Sequence, residues 1–460
     1  MPDLSAFIKA YDVRGLVPEQ LSPEVAYAVG AAFAEDVAKA DGSHAIVIGH
    51  DMRPSSPELS QAFARGVTER GLDVILIGLA STDQLYFASG DLDLPGAMFT
   101  ASHNPAQYNG IKLCRSGARP VGQDSGLLEI RDLAQAMLGG YASLPQVQTP
   151  GQVGERDVLG AYGAFLRSLV DLRGIRPLTV VIDAGNGMAG HTVPAVLGTA
   201  AGLAQLPLHI VPLYFELDGT FPNHEANPLK VETLAALQAK VRAGGHAFGV
   251  AFDGDADRVG FVDERGEIIP MDFITALIAQ DILATRKGVV FYDLRSSRVV
   301  GEVIRAAGGT PMMSRVGHAF IKQQMRDNNA IFAGELSGHY YFRDNYTAES
   351  SAMAVLSVAN ILDASGKPLS ELIAPLRKYS QSGEINSRVS RDPKDILAEI
   401  KSAYAKGALT ELDGVSIAFD DWWFNVRCSN TEPLVRLNLE ARTPELMAAR
   451  RDELLALIRA

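Results

Sequence analysis

Short apolar runs alternate with longer amphipathic ones through most of this chain, and that alternation limits the fold more than any other feature. Residues 45–49, 74–78 and 97–100 are short and apolar, while 26–40 and 57–70 carry helical patterns. Strands alternating with helices predict a largely parallel sheet covered on both faces. The rhythm returns after residue 154, with a helix at 156–172 and strands at 178–182, 209–214 and 247–252. It returns again as helix 272–285, strand 289–292, helix 298–307, strand 310–313, helix 320–327 and strand 330–332. The tail differs. Residues 415–419, 423–427 and 434–439 alternate like strands, and 444–457 close as a helix.

At 460 residues the chain is too long for one hydrophobic core. Gly/Pro/Ser/Gln-rich residues 139–154 read as a first linker, and Ser365-Gly366-Lys367-Pro368 as the last. The expected units are 1–150, 151–262, 263–367 and 368–460. The first three are similar mixed α/β domains, and the fourth is a smaller α+β domain. No residue-level repeat among the three is visible by eye.

Ligands of such sheets bind at the carboxyl ends of strands, and the chemistry-bearing stretches fall there. Thr100-Ala101-Ser102-His103-Asn104-Pro105 follows an apolar strand end, with Lys112 close behind. Asn-Pro closes a turn that presents the Ser102 hydroxyl to a ligand. No Gly-x-Ser-x-Gly elbow surrounds it, so a hydrolase triad fits poorly. The alternative is a turn serine capping a helix.

Asp253-Gly254-Asp255-Ala256-Asp257-Arg258 lies between two apolar strands. Three carboxylates at alternate positions can converge on one hard cation, and oxygen ligands with room for a phosphate oxygen suit Mg²⁺. An EF-hand is excluded, because no glutamate stands at the twelfth position. A solvated acidic turn is the other reading. Arg258 can clamp a phosphate or pair with a neighbouring aspartate.

Gly334-Glu335-Leu336-Ser337-Gly338-His339 offers Glu335 and Ser337 to sugar hydroxyls, or is a simple turn. Arg427-Cys428-Ser429-Asn430-Thr431-Glu432-Pro433 has the makings of a phosphate cradle, or is an ordinary hairpin loop. Tyr11-Asp12-Val13-Arg14-Gly15 is an early loop with an exposed arginine. Residues 185–190 formally match a dinucleotide fingerprint, though glycines there also serve a tight turn.

The formal net charge of −12 argues against a nucleic-acid or acidic-membrane partner. The most apolar stretch, 271–284, is broken by Asp272, Gln280 and Asp281, so no membrane span is expected. Residues 1–11 have no apolar signal core, and Cys114 and Cys428 are the only cysteines, which points to a reducing cytoplasm.

Four loops in this order, those of Ser102, Asp253, Glu335 and Arg427, resemble the α-D-phosphohexomutase family, closest to its phosphomannomutase/phosphoglucomutase branch. The 11–15 and 183–187 stretches add to the likeness, which spans Tyr11 to Pro433. The resemblance implies four domains around a central cleft. It implies a phosphoserine at Ser102, with Mg²⁺ on Asp253, Asp255 and Asp257 touching its phosphate. Glu335 and Ser337 would bind the 3- and 4-hydroxyls of the sugar. Arg427, Ser429, Asn430 and Thr431 would bind the substrate phosphate. Arg14, Lys112, Arg258 and His339 would surround the reacting groups.

Arg295 and His318, the latter on the polar loop Arg315-Val316-Gly317-His318, are expected among the substrate-binding residues. Arg295 stands where many relatives carry lysine, and Gly49-His50-Asp51 replaces the commoner Gly-Arg-Asp. The implied reaction interconverts hexose 1- and 6-phosphates through a hexose 1,6-bisphosphate, which also serves as activator. The implied partners are hexose phosphates. Leu336 sets the sugar loop nearer the mannose/glucose enzymes than the phosphoglucosamine mutases. A non-catalytic sugar-phosphate sensor on the same scaffold would have lost Ser102 or an aspartate. Either Lys112 or His339 can take the hydroxyl proton.

Overall fold

The computed structural model describes residues 2–9, 11–170, 172, 174–428 and 434–460. Its strands form four sheets that follow one another along the chain. The first holds β1 (Val13–Leu16), β2 (Ala45–His50), β3 (Asp73–Leu79), β4 (Gly96–Phe99), β5 (Tyr108–Arg115), β6 (Arg119–Pro120) and β7 (Val153–Glu155). The second holds β8 (Leu178–Asp183), β9 (Leu208–Leu213), β10 (Phe248–Phe252), β11 (Val259–Asp263) and β12 (Ile268–Ile269). The third holds β13 (Val289–Asp293), β14 (Thr310–Ser314), β15 (Phe332–Gly334), β16 (Tyr340–Phe342) and β17 (Ala348–Glu349). The last holds β18 (Ser380–Arg388), β19 (Ala408–Thr410), β20 (Val415–Ala418), β21 (Trp422–Cys428) and β22 (Leu434–Ala441).

The three leading sheets repeat one plan. Three parallel neighbours come first: β3-β2-β4, β9-β8-β10 and β14-β13-β15. The third strand then reverses into an antiparallel partner: β4 into β5, β10 into β11, β15 into β16. One more antiparallel strand finishes each: β1 on β5, β12 on β11, β17 on β16. The sheets are therefore mixed, not largely parallel. A parallel return needs a crossover of a dozen or more residues, and the loops 100–107, 253–258 and 335–339 are too short for one. All three chemistry-bearing loops of these units thus occupy the same place in the plan.

A residue-level repeat is also present. The first parallel strand of each sheet ends at or just before an aspartate. Asp51, Asp183 and Asp293 each accept the N–H of the residue two ahead, Arg53, Gly185 and Arg295, at 3.0, 2.9 and 2.8 Å. Such a side-chain turn ends the strand and aims the following loop.

Burial explains the strands. Every residue of β10 (Phe-Gly-Val-Ala-Phe) is buried, as a strand covered on both faces requires. Helices Met271–Thr285 and Ser351–Ser365 are apolar nearly all round and mostly buried. They lie in a core shared by all three units, through Val47, Leu85, Met98, Tyr162, Val180, Phe248, Val290, Phe332 and Val355.

The last sheet, β18-β22-β21-β20-β19, is wholly antiparallel and has a core of its own around Ile396, Phe424, Leu437 and Leu454. Two linker readings shift. β7, inside 139–154 and just beyond, pairs with β3 and extends the first sheet past residue 150. Leu369, Ile373 and Leu376, past the second linker, pack in the shared core. Gly/Pro/Ser composition marks irregular backbone, not a break in packing. Among the described residues, no helix is long and apolar enough to cross a membrane.

Candidate active site

The β4–β5 loop carries Ser102 in a left-handed conformation, φ 51°. A non-glycine residue adopts that conformation only when its surroundings hold it there. Arg53 supplies the hold. Its guanidinium donates to the carbonyls of Ser102 (2.9 Å), Asn104 (2.7 Å), Pro105 (2.9 Å) and Tyr108 (3.0 Å), and its Nε donates to Asp51 (3.2 Å). Ser102 and Arg53 are each 1% exposed, so the serine is buried and not on an open surface turn. A β-strand follows, so Ser102 caps no helix.

The β10–β11 loop meets it. Ser102 Oγ donates to Asp253 Oδ2 at 2.6 Å. A Cβ at Gly254 would fall 2.4 Å from the Ser102 carbonyl oxygen, so only glycine lets the two loops lie this close. Gly187 stands under the same loop. A Cβ there would fall 2.8 Å from the Gly254 oxygen, which also accepts the Met188 N–H at 2.9 Å. The glycine run resembling a dinucleotide fingerprint therefore braces the aspartate loop.

Asp253, Asp255 and Asp257 are fully buried, each with a carboxylate oxygen within 4.8 Å of the others'. Asp255 Oδ2 accepts from Thr82 Oγ1 (2.6 Å) and Lys112 Nζ (2.7 Å), and Lys112 also pairs with Asp257. Among the described residues Asp255 Oδ1 is buried without a hydrogen-bond donor, and Asp257 Oδ1 faces only the charges of His339 and Arg258. Three converging buried carboxylates beside a hydroxyl are a donor set that could hold a hard divalent cation, and their burial means that a solvated acidic turn does not describe this loop.

The surrounding charges respond to burial and to one another. Burial, then Asp255 and Asp257, push the Asp253 carboxyl well above the usual range. Burial also opposes charge on Asp257, but Lys112 and His339 outweigh it and hold the group well below that range. Burial works against the Lys112 ammonium, and Asp255 and Asp257 overcome it, raising the pKa. His339 is moved the same way, burial against Asp257, to about 9. Arg258 Nε lies 3.7 Å from Asp253, 4.0 Å from Asp257 and 3.3 Å from His339 Nε2, so it pairs with the aspartates while facing the cleft.

The β15–β16 loop adds Glu335, Ser337 and His339. His339 joins the loops, with Nε2 3.3 Å from Asp257 and Nδ1 3.0 Å from Glu335. Ser337 Oγ lies 2.9 Å from His339 Nδ1. Glu335 accepts from Tyr341 OH (2.7 Å) and the Gly317 N–H (3.0 Å). Burial raises the Glu335 carboxyl, but His339 and Arg295 pull it down to about 2, so it stays an acceptor. Asp293 holds Arg295 at 2.7 Å and accepts the Leu336 N–H at 2.7 Å, tying Arg295 to the same loop.

Among the described residues neither ring nitrogen of His318 is hydrogen-bonded, and burial and the Lys322 charge move its pKa well below the usual histidine value. Arg14 is half-buried on β1, not exposed on a loop, and binds Asp12 (2.6 Å) and Asn104 (2.9 Å). A cavity of ≈ 720 Å³ is lined by Tyr11, Arg14, Lys112, Arg258, His318 and His339. His50 lies apart, lining a different cavity.

Arg427 is at the end of β21 in the last unit. It is 4% exposed, pairs with Glu384, and leaves Nη1 buried without an acceptor among the described residues. Asp293 and Arg295 are near enough to act on its charge. Ser429, Asn430 and Thr431 lie outside the described residues.

Sequence reasoning missed Arg53, Thr82 and Tyr341. Asp51-x-Arg53 after a strand, mirrored by Asp293-x-Arg295, was the available signal for the first. Nothing local marks the other two.

Four descriptions of the phosphoglucomutase/phosphomannomutase family match in order: alpha/beta/alpha domain I at residues 6–137, domain II at 161–266, domain III at 270–379 and the C-terminal domain at 384–457. A phosphomannomutase of Salmonella montevideo is 38% identical over 466 residues, covering 100% of both chains. A Xanthomonas campestris protein named phosphohexose mutases is 40% identical, covering 99% of each. The crystal structure of a phosphoglucomutase/phosphomannomutase family protein from Burkholderia thailandensis superimposes with a TM-score of 0.88 at 30% identity, covering 99% of this chain and 97% of that one. With its four domains in family order and its site loops at matching places in three sheets, the chain belongs to the phosphoglucomutase/phosphomannomutase family and is a phosphohexomutase.

Proposed function

We propose that this mutase interconverts the 1- and 6-phosphates of mannose and glucose through a phosphoserine at Ser102, in the cytoplasm. The observation that supports it most is the 2.6 Å contact of Ser102 Oγ with Asp253, which joins a nucleophile loop to a cation loop across two units. Asp253, Asp255, Asp257 and the Ser102 oxygen would hold Mg²⁺. When bound, Mg²⁺ neutralises phosphate charge and eases departure of the serine oxygen.

The chain's own residues do the rest. Arg14, Lys112 and Arg258 face the charge of the phosphoryl group in transit. The P–O bond to Ser102 breaks as a sugar hydroxyl bonds to phosphorus, and the proton lost by that hydroxyl ends on the freed Ser102 oxygen. Lys112 and His339, whose pKa values the aspartates raise, are charged and stabilise the transfer instead of serving as its base. The product is a hexose 1,6-bisphosphate, the same compound that activates an unphosphorylated enzyme. It reverses end for end and returns its other phosphate to Ser102.

Glu335, Ser337, Arg295 and His318 hold the sugar in both orientations. Arg427, with Ser429, Asn430 and Thr431, holds the phosphate that is not reacting. The test is a coupled assay on glucose 1-phosphate, mannose 1-phosphate and glucosamine 1-phosphate, with intact-mass spectrometry of the purified enzyme. Turnover of the first two within about a hundredfold of each other, near 2.7 kcal/mol, together with a phosphate adduct, is the expected result. Turnover of glucosamine 1-phosphate alone would move the enzyme to the other branch.

A further inference from the structure

We propose that Thr82 is a positioning residue that decides which carboxylate oxygen of Asp255 faces the divalent cation. This rests on the metal reading above. Thr82 opens the helix Thr82–Leu92, whose cap is Ser81. It grips Asp255 twice: its N–H donates to the Asp255 carbonyl at 3.1 Å, and its hydroxyl donates to Oδ2 at 2.6 Å. Lys112 Nζ donates to the same Oδ2 at 2.7 Å. Oδ2 is thereby occupied, and Oδ1 is left buried and, among the described residues, free of donors beside Asp253 and Asp257. A carboxylate fixed at both backbone and one oxygen has one way left to turn its other oxygen.

The turn that carries Thr82 is itself anchored. The Asp83 carboxylate accepts from Ser81, from Tyr162 OH at 2.5 Å and from Ser350 Oγ at 3.1 Å. Tyr162 belongs to the second unit and Ser350 to the third. One side chain therefore ties the start of this first-unit helix to both other units. Groups that orient a metal ligand change metal affinity by about 10–100-fold when removed.

The test is direct Mn²⁺ binding to the purified full chain, by electron paramagnetic resonance titration of free Mn²⁺, on wild type, Thr82→Val and Thr82→Ser. Thr82→Val keeps the shape and removes the donor. It should weaken binding by about 10–100-fold, and the Mn²⁺ needed for half-maximal activity should rise by the same factor. Thr82→Ser keeps the donor and should stay close to wild type. If Thr82→Val does not fold, Thr82→Ala replaces it in the same comparison. A hydroxyl-free variant that binds Mn²⁺ as tightly as wild type overturns the proposal, as does equal weakening in Thr82→Ser. A wild-type chain with no Mn²⁺ affinity overturns the metal reading itself.

Discussion

The first three units and the fourth bring charge to the cleft in different ways. In the first three, each site loop is packed against the next. The Ser102 carbonyl is held by Arg53, Gly254 lies against that carbonyl, Gly187 lies under Gly254, and His339 spans Asp257 and Glu335. One core runs beneath all three units. The fourth has a core of its own. It meets the third unit through polar contacts, such as the Arg298 guanidinium with the Phe419 and Asp420 carbonyls and Gln381 with Asp272. The difference matches the two tasks of a mutase. Phosphoryl transfer needs fixed geometry, whereas an anchor for the remote phosphate needs only charge and reach.

The sharpest break of this contrast is at Ser102. Ser102→Ala should lower turnover by at least about 10³-fold, the scale of a lost nucleophile, with its melting temperature retained. The phosphate adduct should vanish from the intact mass. Undiminished turnover would end the phosphoserine reading. Asp255→Asn comes next, with a loss of roughly 10²-fold or more by analogy to a missing electrostatic stabiliser, accompanied by weaker Mn²⁺ binding. Normal activity of Asp255→Asn in the presence of a chelator would reduce the loop to an acidic structural turn.

Arg427→Ala probes the other region. Loss of a charge-assisted pair costs about 1.5–3 kcal/mol, so kcat/KM should fall roughly ten- to a hundredfold for both the 1- and the 6-phosphate. Phosphorylation of Ser102 should survive, because among the described residues its hydrogen-bond partners all belong to the first two units. Arg427→Lys should restore little, since lysine lacks the fork. An effect on only one direction, beyond what the reaction equilibrium demands, would contradict a shared anchor.

The smallest effect on turnover is expected at the junction of the three rigid units. Burial pushes the Asp83 carboxyl from 3.8 up to about 6, against the hydroxyls of Ser81, Tyr162 and Ser350, which donate to it. The folded chain therefore binds this proton more tightly than the unfolded one. The stability it lends is full below about pH 4 and is lost as pH rises through about 6. Asp83→Asn should flatten the fall in melting temperature over that window. An unchanged slope would show that the proton is held elsewhere.

The sequence by itself determined the α/β alternation, the distinct tail and four loops whose residue types fit phosphoryl transfer. These are legible because strand and helix periods are local and a loop's chemistry is written in its own residues. The order of the four loops was enough to suggest the family. The tail's first strand, β18, escaped because Ser-Gln-Ser-Gly-Glu-Ile-Asn-Ser-Arg is polar and buries only Ser387 fully, without the alternating burial that writes a pattern.

Only the tertiary structure decided that the three α/β units share one strand plan, since pairing partners lie far apart in the chain and the common residue is a lone aspartate. Only it gave the 185–190 glycines their purpose, because a close approach of backbones 67 positions apart leaves no local trace (Gly187 to Gly254). Thr82 was unreadable for the same reason, and the Asp51-x-Arg53 spacing could mark Arg53 without showing what it holds. A guanidinium that cages a loop, or a hydroxyl that turns a carboxylate, is defined by what it reaches, and that is fixed only when the units pack.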